Sequence, residues 1–181
     1  SPVQRHGGRH PLPDMEALVA KLGALGIGDE HEVVVYDDDG GMYAARALWL
    51  LRYTGKDDVR MLDGGLAAYL AAGGELTTEA PAHPPTTLTL RLRPDMVVGA
   101  DYVAENAGAP GVLVIDARAP ERYRGEVEPL DPKAGHVPGA INRYYLDNVK
   151  DGRFAPQAEL ERLLAPAAEA GTVVAYCGSG V

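Results

Sequence analysis

Apolar residues follow helical spacing in some stretches of the chain and form short β-branched runs in others. The helical stretches and the valine-rich runs alternate along the sequence, and each run is followed by a turn bearing glycine or aspartate. The predicted helices are residues 14–25, 43–53, 66–72, 99–106 and 157–164. The predicted strands are residues 32–36, 59–62, 112–115 and 173–176, of which the first and the last are expected to be buried. Strands that alternate with helices predict an α/β fold whose parallel sheets are flanked by helices.

Proline-bearing polar stretches suggest how the chain is divided. Residues 79–85 contain three prolines and read as a connection, and the alternating residues 86–92 read as an extended segment. We therefore expect an N-terminal domain over residues 1–78, a linker over 79–95 and a C-terminal domain over 96–181. A long polar loop is expected over residues 121–136.

The strands predicted at residues 33–36 and 173–176 look like two copies of one unit. Val33-Val34-Val35-Tyr36-Asp37 corresponds to Val173-Val174-Ala175-Tyr176-Cys177, so each strand ends in a reactive type of side chain. Chance is the competing explanation, because valine-rich strands are common in parallel sheets. The first copy continues into a helix, a strand and another helix, whereas only four residues follow Cys177. We therefore expect two domains, truncated at both ends, of which only the second carries a thiol.

Composition and charge narrow the classes of partner. Of 181 residues, 46% are hydrophobic and 24% are charged, which is ordinary for a globular protein. Seventeen basic and 26 acidic residues give a net charge of −9, and no basic cluster favours a nucleic-acid partner. The sequence shows no apolar run of the ~18 residues that a membrane span needs and no signal-peptide pattern. We expect a cytoplasmic protein with no membrane contact.

Cys177 is the single cysteine, so neither an internal disulfide nor a cysteine-rich zinc site is expected. His6 and His10 are separated by two glycines and make a poor metal pair. A lone cysteine is more often a small buried apolar residue than a nucleophile. Its surroundings therefore have to decide its role.

The loop Cys177-Gly178-Ser179-Gly180-Val181 favours a reactive cysteine. Two glycines let the backbone curl, and a curled loop can turn several N–H groups toward one anion. Such a loop would stabilise a thiolate, a persulfide or a substrate oxyanion. An inert thiol at the end of a strand remains the alternative.

The same loop resembles the active-site loop of the tandem-domain rhodanese and mercaptopyruvate sulfurtransferase family. Further segments resemble that family's motifs in order: Leu62-Asp63-Gly64-Gly65-Leu66, Asp116-Ala117-Arg118, Glu121-Arg122-Tyr123-Arg124-Gly125, Glu128-Pro129 and Gly135-His136-Val137-Pro138-Gly139-Ala140-Ile141-Asn142. Tyr36-Asp37 resembles the family's non-catalytic domain, whose nucleophile position holds an aspartate. The resemblance runs over essentially the whole chain.

The resemblance implies two rhodanese-like domains and a sulfurtransferase. Cys177 would take sulfane sulfur from thiosulfate, or alternatively from 3-mercaptopyruvate, and pass it from a persulfide to cyanide or a thiol. Thioredoxin is a candidate thiol acceptor, and no metal or organic cofactor is implied. Gly178, Gly180 and Val181 would surround the substrate.

Individual roles also follow from the resemblance. Arg122 matches the family's substrate-binding arginine, and its paired donors suit sulfonate or carboxylate oxygens. Ser179 and His10 match members of a proton relay in the mercaptopyruvate branch. That branch often carries a second arginine where this chain has Leu130, which favours thiosulfate as the donor. Lys133 lies nearby in sequence and could supply the missing charge.

Two other classes of function remain open on the sequence. Some cysteine phosphatases share this fold, and a phosphatase would need a longer loop closed by an arginine. A non-enzymatic sulfide-binding or scaffold module is the other alternative. It gains weight if the anion-binding loop is incomplete.

Overall fold

The computed structural model describes residues 9–179, which divide into two compact units. One unit spans Leu12–Met96. The other contains residues 97–179 together with residues 9–11. The segment that bears Arg9 and His10 thus belongs to the same unit as Cys177.

The first unit contains three helices and a two-stranded parallel sheet. Its elements are α1 (Met15–Ala24), β1 (Val33–Val35), α2 (Met42–Tyr53), β2 (Val59–Met61), α3 (Gly65–Ala71) and a 3-10 helix (Pro94–Met96). In the sheet Val33 lies opposite Val59. Each helix and strand predicted for this half is confirmed, with ends that shift by one or two residues.

The core of the first unit forms where the apolar sides of its helices and strands meet. Helix α1 begins after Asp14, whose carboxylate accepts the N–H of Ala17 at 2.8 Å and caps the helix. Val19 of α1 then packs with Leu51, Val59 and Leu88. These four side chains join two helices, one strand and a later extended segment into one apolar cluster.

Residues 86–93 run as an extended segment along the first unit. The N–H groups of Thr86, Arg91 and Arg93 donate to the carbonyls of Gly23, Thr54 and Tyr53 at 2.8–3.0 Å. The extended conformation predicted for residues 86–92 agrees with this arrangement. The domain boundaries at residues 78 and 95 stay a prediction.

The second unit is built around a three-stranded parallel sheet. Its elements are α4 (Ala100–Asn106), β3 (Val112–Asp116), α5 (Pro120–Tyr123), β4 (Ile141–Asn142), a 3-10 helix (Tyr145–Asn148), β5 (Val149–Lys150), β6 (Arg153–Phe154), α6 (Gln157–Glu169) and β7 (Thr172–Tyr176). Strand β3 lies between β4 and β7 and is parallel to both, and β5 pairs with β6 in an antiparallel hairpin. The helices and strands predicted for this half are confirmed, although α6 runs on to Glu169, past the predicted end at residue 164. Helix α5 occupies the start of residues 121–136, which were expected to form a loop. The other elements of two to four residues in this half were not predicted.

The prediction that the two strands of the repeat are buried is wrong for part of their side chains. Val34 in β1 is 53% exposed and Val173 in β7 is 44% exposed. Within the described sheets both strands have a neighbour on one side only. The central strand β3, which is paired on both sides, buries Val114 and Ile115.

Candidate active site

Cys177 directly follows β7 and lies at the carboxyl end of the parallel sheet. The register pairs Asp116 with Tyr176, so the residues after β3 and β7 meet at one sheet edge. A cavity of about 310 Å³ opens there. Its walls are formed by Arg118, Asp131, Lys133, Ala134, Gly135, His136, Val137, Tyr176 and Cys177.

A buried polar network supports the floor of this cavity. Asp116 is fully buried, and the guanidinium of Arg118 donates to its two oxygens at 2.7–3.1 Å. The Tyr176 hydroxyl donates to Asp116 Oδ2 at 2.7 Å and accepts the N–H of Val137 at 3.0 Å. The residue before Cys177 is thereby tied to both neighbouring segments.

The protonation states in this network follow from its contacts. Burial works against ionisation of Asp116, but the hydrogen bonds from Arg118 and Tyr176 outweigh it and lower the pKa of the carboxyl. The hydrogen bond to Asp116 raises the pKa of Arg118 further. Burial, with the nearby Asp116 carboxylate, raises the pKa of Tyr176 to about 12. The network therefore holds a carboxylate, a guanidinium and a neutral phenol near neutral pH.

Arg122, the predicted substrate-binding arginine, lies against the loop that carries Cys177. A Cβ built on Gly178 would stand 2.5 Å from Arg122 Nη1. The guanidinium comes from the end of α5, a helix of four residues that begins at Pro120. Proline suits this first position because it has no N–H to leave unpaired.

Glu128 orients the guanidinium of Arg122. Its carboxylate accepts from Arg122 Nη2 at 2.7 and 3.0 Å and from Nε at 3.2 Å, and it also accepts from Arg118. The N–H groups of Leu130 and Asp131 donate to it as well. The hydrogen bonds from Arg122 are the main reason that the pKa of Glu128 falls to about 2. Glu128 is therefore ionised throughout the neutral range and joins two arginines of the site.

Asp131 and Arg9 complete a charged rim beside Gly178. Asp131 Oδ2 accepts from Arg122 Nη2 at 3.3 Å, and Asp131 Oδ1 accepts from Arg9 Nη1 at 2.8 Å. Arg9 Nη2 also donates to the carbonyl of Gly178. A residue more than a hundred positions away in sequence thus contacts the cysteine loop.

The other predicted site residues are partly brought together. The N–H of His10 donates to the carbonyl of Ser179 at 2.7 Å, so the two residues of the predicted relay are neighbours through their backbones. Lys133 lies on the wall of the cavity that Cys177 lines. Gly180 and Val181 lie outside the described residues. The roles of these residues stay predictions.

His136 stacks on the ring of Tyr123, with 3.8 Å between centroids, and its Nδ1 lies 2.7 Å from the Tyr123 carbonyl. These contacts hold the turn that contains His136 against the end of α5. Among residues 9–179 no three histidine, cysteine or acidic side chains gather in a way that could hold a metal ion. No helix in that range is long and apolar enough to cross a membrane.

In the first unit, the loop that corresponds to the Cys177 loop binds a carboxylate. Asp37 follows β1 as Cys177 follows β7, and its Oδ1 accepts the N–H groups of Asp39 and Gly41 at 3.1 and 2.8 Å. Its Oδ2 accepts the N–H of Ala44 at 2.8 Å, in the first turn of α2. Burial opposes these bonds, yet they prevail and lower the pKa of Asp37. The strand-loop-helix arrangement therefore cradles one negative side chain in backbone N–H groups.

Sequence reasoning missed several residues of the site. Arg9 and Asp131 were given no role, Glu128 was quoted only as part of a motif, and Tyr176 only as part of a strand. Their pairing depends on side chains far apart in the chain, for which one sequence offers no local signal. The acidic residues within 126–131 are the local signal from which partners for nearby arginines could have been expected.

The fold and the site together define a class: parallel α/β units in tandem, one of which presents a cysteine at the carboxyl end of its sheet beside an arginine. A family model for the rhodanese-like domain matches residues 3–72 and 99–181. The chain belongs to the rhodanese-like family, and it contains two segments of that fold.

Curated relatives carry the names of sulfurtransferases. The chain is 46% identical over 179 residues to a Pseudomonas aeruginosa protein named "Probable 3-mercaptopyruvate sulfurtransferase", covering 96% of this chain and 63% of the relative. It is 39% identical over 145 residues to thiosulfate sulfurtransferase of Azotobacter vinelandii, covering 78% of this chain and 53% of the relative. This chain therefore spans less than two thirds of the length of either relative.

A solved structure is similar to this chain over most of its length. SseA from Escherichia coli, described as a 3-mercaptopyruvate sulfotransferase, aligns with a TM-score of 0.79 at 30% identity. The alignment covers 94% of this chain and 65% of SseA.

Proposed function

We propose that the protein is a sulfurtransferase that moves sulfane sulfur from thiosulfate to cyanide or a thiol through a persulfide on Cys177. The observation that carries the proposal is the position of Arg122. Its guanidinium lies against Gly178, the residue after Cys177, and Cys177 itself lines an open cavity. Membership of the rhodanese-like family supports the same reading.

The proposed reaction has two steps that balance without a cofactor. The Cys177 thiolate attacks the outer sulfur of thiosulfate, a sulfur–sulfur bond forms to the enzyme, and the bond within thiosulfate breaks to release sulfite. Cyanide or a thiolate then attacks the terminal sulfur of the persulfide. The product leaves as thiocyanate or as a new persulfide, and the Cys177 thiolate is restored.

Arg122 would hold the sulfonate group of the donor during the first step. A guanidinium presents several N–H groups in a plane, and those not committed to Glu128 can bind donor oxygens. Glu128 and Asp131 both accept from Nη2, while Nη1 is the atom that faces Gly178. This arrangement supports Arg122 as a group that binds the sulfur donor and that is oriented by Glu128 and Asp131.

Gly178 and Ser179 would shape the loop around the persulfide. The corresponding loop of the first unit, which follows Asp37, supports this proposal. In the first unit the carboxylate of Asp37 receives backbone N–H groups from the loop and from the start of α2. A terminal persulfide sulfur carries comparable negative charge on a longer side chain. We propose that the second copy uses the same kind of cradle, with Gly180 and Val181 as its continuation.

3-Mercaptopyruvate is the second candidate donor. The 46% identity to the Pseudomonas protein and the likeness to SseA favour it. Leu130 argues for thiosulfate, because a second arginine is expected at that position for the carboxylate donor. Lys133, on the cavity wall, is the cation in this chain that could replace it.

We further propose a thiol acceptor of the thioredoxin type and a cytoplasmic setting. The cavity that Cys177 lines is open, so a thiol on a second protein could approach it. The test is transfer of labelled sulfur from the loaded enzyme to reduced thioredoxin. Retention of the label on Cys177 would exclude this acceptor while leaving the first step intact.

The main experiment loads the purified protein with thiosulfate and measures its mass. We expect one added sulfur atom on Cys177 and its loss when cyanide is supplied. An unmodified Cys177 would refute the transfer mechanism. A parallel assay with thiosulfate and 3-mercaptopyruvate then identifies the preferred donor by its kcat/KM.

The Arg122→Ala variant tests the residue that carries the proposal. We expect donor use to weaken by about 1.5–3 kcal/mol, the range for hydrogen bonds to charged groups, while iodoacetamide still alkylates Cys177. Arg124→Ala is the matched control, because Arg124 pairs with Glu126 on the surface. Unchanged kinetics with both donors would remove Arg122 from the site.

A further inference from the structure

Asp131 lies between two guanidinium groups at the cysteine loop. Arg9 Nη1 donates to its Oδ1 at 2.8 Å, and Arg122 Nη2 approaches its Oδ2 at 3.3 Å. Arg9 and Arg122 are supplied by different segments, residues 9–11 and the helix α5. The single carboxylate therefore bridges two cations that no local sequence pattern joins.

Both cations also contact the residue that follows Cys177. Arg9 Nη2 donates to the Gly178 carbonyl, and Arg122 Nη1 lies against the Gly178 Cα. The pKa of Arg9 is raised, first by its hydrogen bond to Asp131 and then by the negative charges of Asp131, Glu128 and Cys177. Arg9 is thus close enough to Cys177 for their charges to interact.

The two carboxylates at this site are held very differently. Glu128 has a side chain that is 4% exposed, makes three contacts with Arg122 and receives two backbone N–H groups. Asp131 has a side chain that is 35% exposed and reaches Arg122 through one long contact. Glu128 is a fixed part of the site, whereas Asp131 is partly exposed and is held through one hydrogen bond to each of Arg9 and Arg122.

We propose that Arg9 and Arg122 form the anion-binding pair of the sulfur-donor site and that Asp131 is the internal counter-ion which the donor's sulfonate or carboxylate displaces. The inference rests on the proposed function and adds two specificity-determining residues to it. Arg9 thereby supplies the second guanidinium, which the related proteins would have at the position of Leu130.

Displacement follows from the charge balance of the four groups. Glu128 and Asp131 offset the charges of Arg9 and Arg122, so these four groups together present no net charge to a dianionic donor while Asp131 stays in place. When Asp131 swings out, both guanidiniums are left facing one anion. Asp131 therefore weakens binding of all anionic donors and disfavours those with a small or weakly charged head group.

The test uses two alkylating reagents that differ only in charge. Iodoacetate and iodoacetamide both react with the Cys177 thiolate and release iodide, so the ratio of their rates cancels changes in thiolate fraction and in access. We expect Arg9→Gln to lower the iodoacetate-to-iodoacetamide ratio by about three- to fivefold at low salt, and we expect the loss to shrink at high salt. We expect Asp131→Asn to raise the ratio by a similar factor.

Opposite signs for the two variants separate this role from a structural one. If the Arg9–Asp131 pair only fastens the segment, both variants release it and the ratio moves in the same direction. That result, or an unchanged ratio in Asp131→Asn, would overturn the proposal. Arg9→Lys keeps the positive charge, so its iodoacetate-to-iodoacetamide ratio is expected to stay close to that of the wild type. Asp147→Asn, which removes a carboxylate paired with Arg143, is the charge-matched control.

Donor kinetics extend the test to the reaction itself. Arg9→Gln is expected to raise KM for thiosulfate more than it lowers kcat, and Asp131→Asn is expected to lower KM. The alkylation ratio does not depend on sulfur transfer. A protein without transferase activity whose ratio shifts as described would therefore refute the proposed function and leave the anion-binding pair standing.

Discussion

The guanidinium of Arg122 lies in the space that a side chain on Gly178 would need, with Nη1 2.5 Å from the position of the absent Cβ. Glycine next to Cys177 therefore does more than permit a turn in the backbone. It lets a cation from another segment reach the loop at a distance that no other residue would allow.

Gly178→Ala is expected to displace Arg122 while leaving the fold intact. The obstructing atom is the end of a flexible side chain, so we expect the free energy of unfolding to change by less than about 1 kcal/mol. KM for thiosulfate should rise toward that of Arg122→Ala. Urea unfolding and donor kinetics measure the two effects. Gly99→Ala is the control, since a Cβ there meets nothing within 4 Å, and its kinetics should match the wild type.

Glu128→Gln is expected to reduce both stability and donor use, because Arg118 and Arg122 lose their shared counter-ion. The pKa of Glu128 is about 2, below the ordinary glutamate value of 4.5. The ionised carboxylate thus stabilises the fold above about pH 4.5, and this contribution is lost as pH falls toward 2. The difference in urea midpoint between wild type and variant should shrink over that interval. A constant difference would show that the charge of Glu128 is not responsible.

Tyr176→Phe is expected to destabilise the second unit by about 1–2 kcal/mol. The variant leaves the N–H of Val137 without its hydroxyl acceptor and removes one donor from buried Asp116. Thermal or urea unfolding measures the loss. Tyr69→Phe is the control, because its hydroxyl donates to Glu75 at an exposed position, and it should change stability by less than about 0.5 kcal/mol. Equal effects in the two variants would contradict a special role for Tyr176.

Asp37→Ala is expected to destabilise the first unit by about 1–2 kcal/mol, the usual effect of removing a side-chain acceptor at the start of a helix. Three backbone N–H groups lose their carboxylate partner. Hydrogen exchange at Gly41 and Ala44 should accelerate relative to the wild type. Asp39→Ala serves as the control, because Asp39 joins this arrangement through its backbone N–H. Unchanged protection from hydrogen exchange at Gly41 and Ala44 in Asp37→Ala would contradict binding of these N–H groups by the carboxylate.

Much of the fold could be predicted because it depends on local patterns. The spacing of apolar residues in α1 and α2 reflects one buried side, and the β-branched run at Val112–Asp116 reflects a strand paired on both sides. The exposure of Val34 and Val173 could not be predicted, because burial of a strand depends on its position in the sheet. A valine run looks the same at an edge and in the centre.

The candidate nucleophile and the candidate substrate-binding arginine could be proposed from the sequence for a different reason. Cys177 is the single thiol and is followed by two glycines within three residues, and Arg122 stands in a motif that resembles a known family. Chemistry that depends on residue type and short spacing is visible in one sequence. The chain by itself therefore determined the alternation of helices and strands, the repeat that pairs Asp37 with Cys177, and the candidate nucleophile.

The tertiary structure alone decided which charges surround that nucleophile. Arg9 and Asp131 are 122 residues apart and meet only because their segments fold onto the same loop. Glu128 could have paired with any nearby cation, and folding assigned it to Arg118 and Arg122. Ion pairs carry no sequence period, since their energy depends on the distance between charged atoms and on their exposure to water. The choice of Cys177 as the candidate nucleophile thus follows from the sequence, whereas the charges around it follow from the fold.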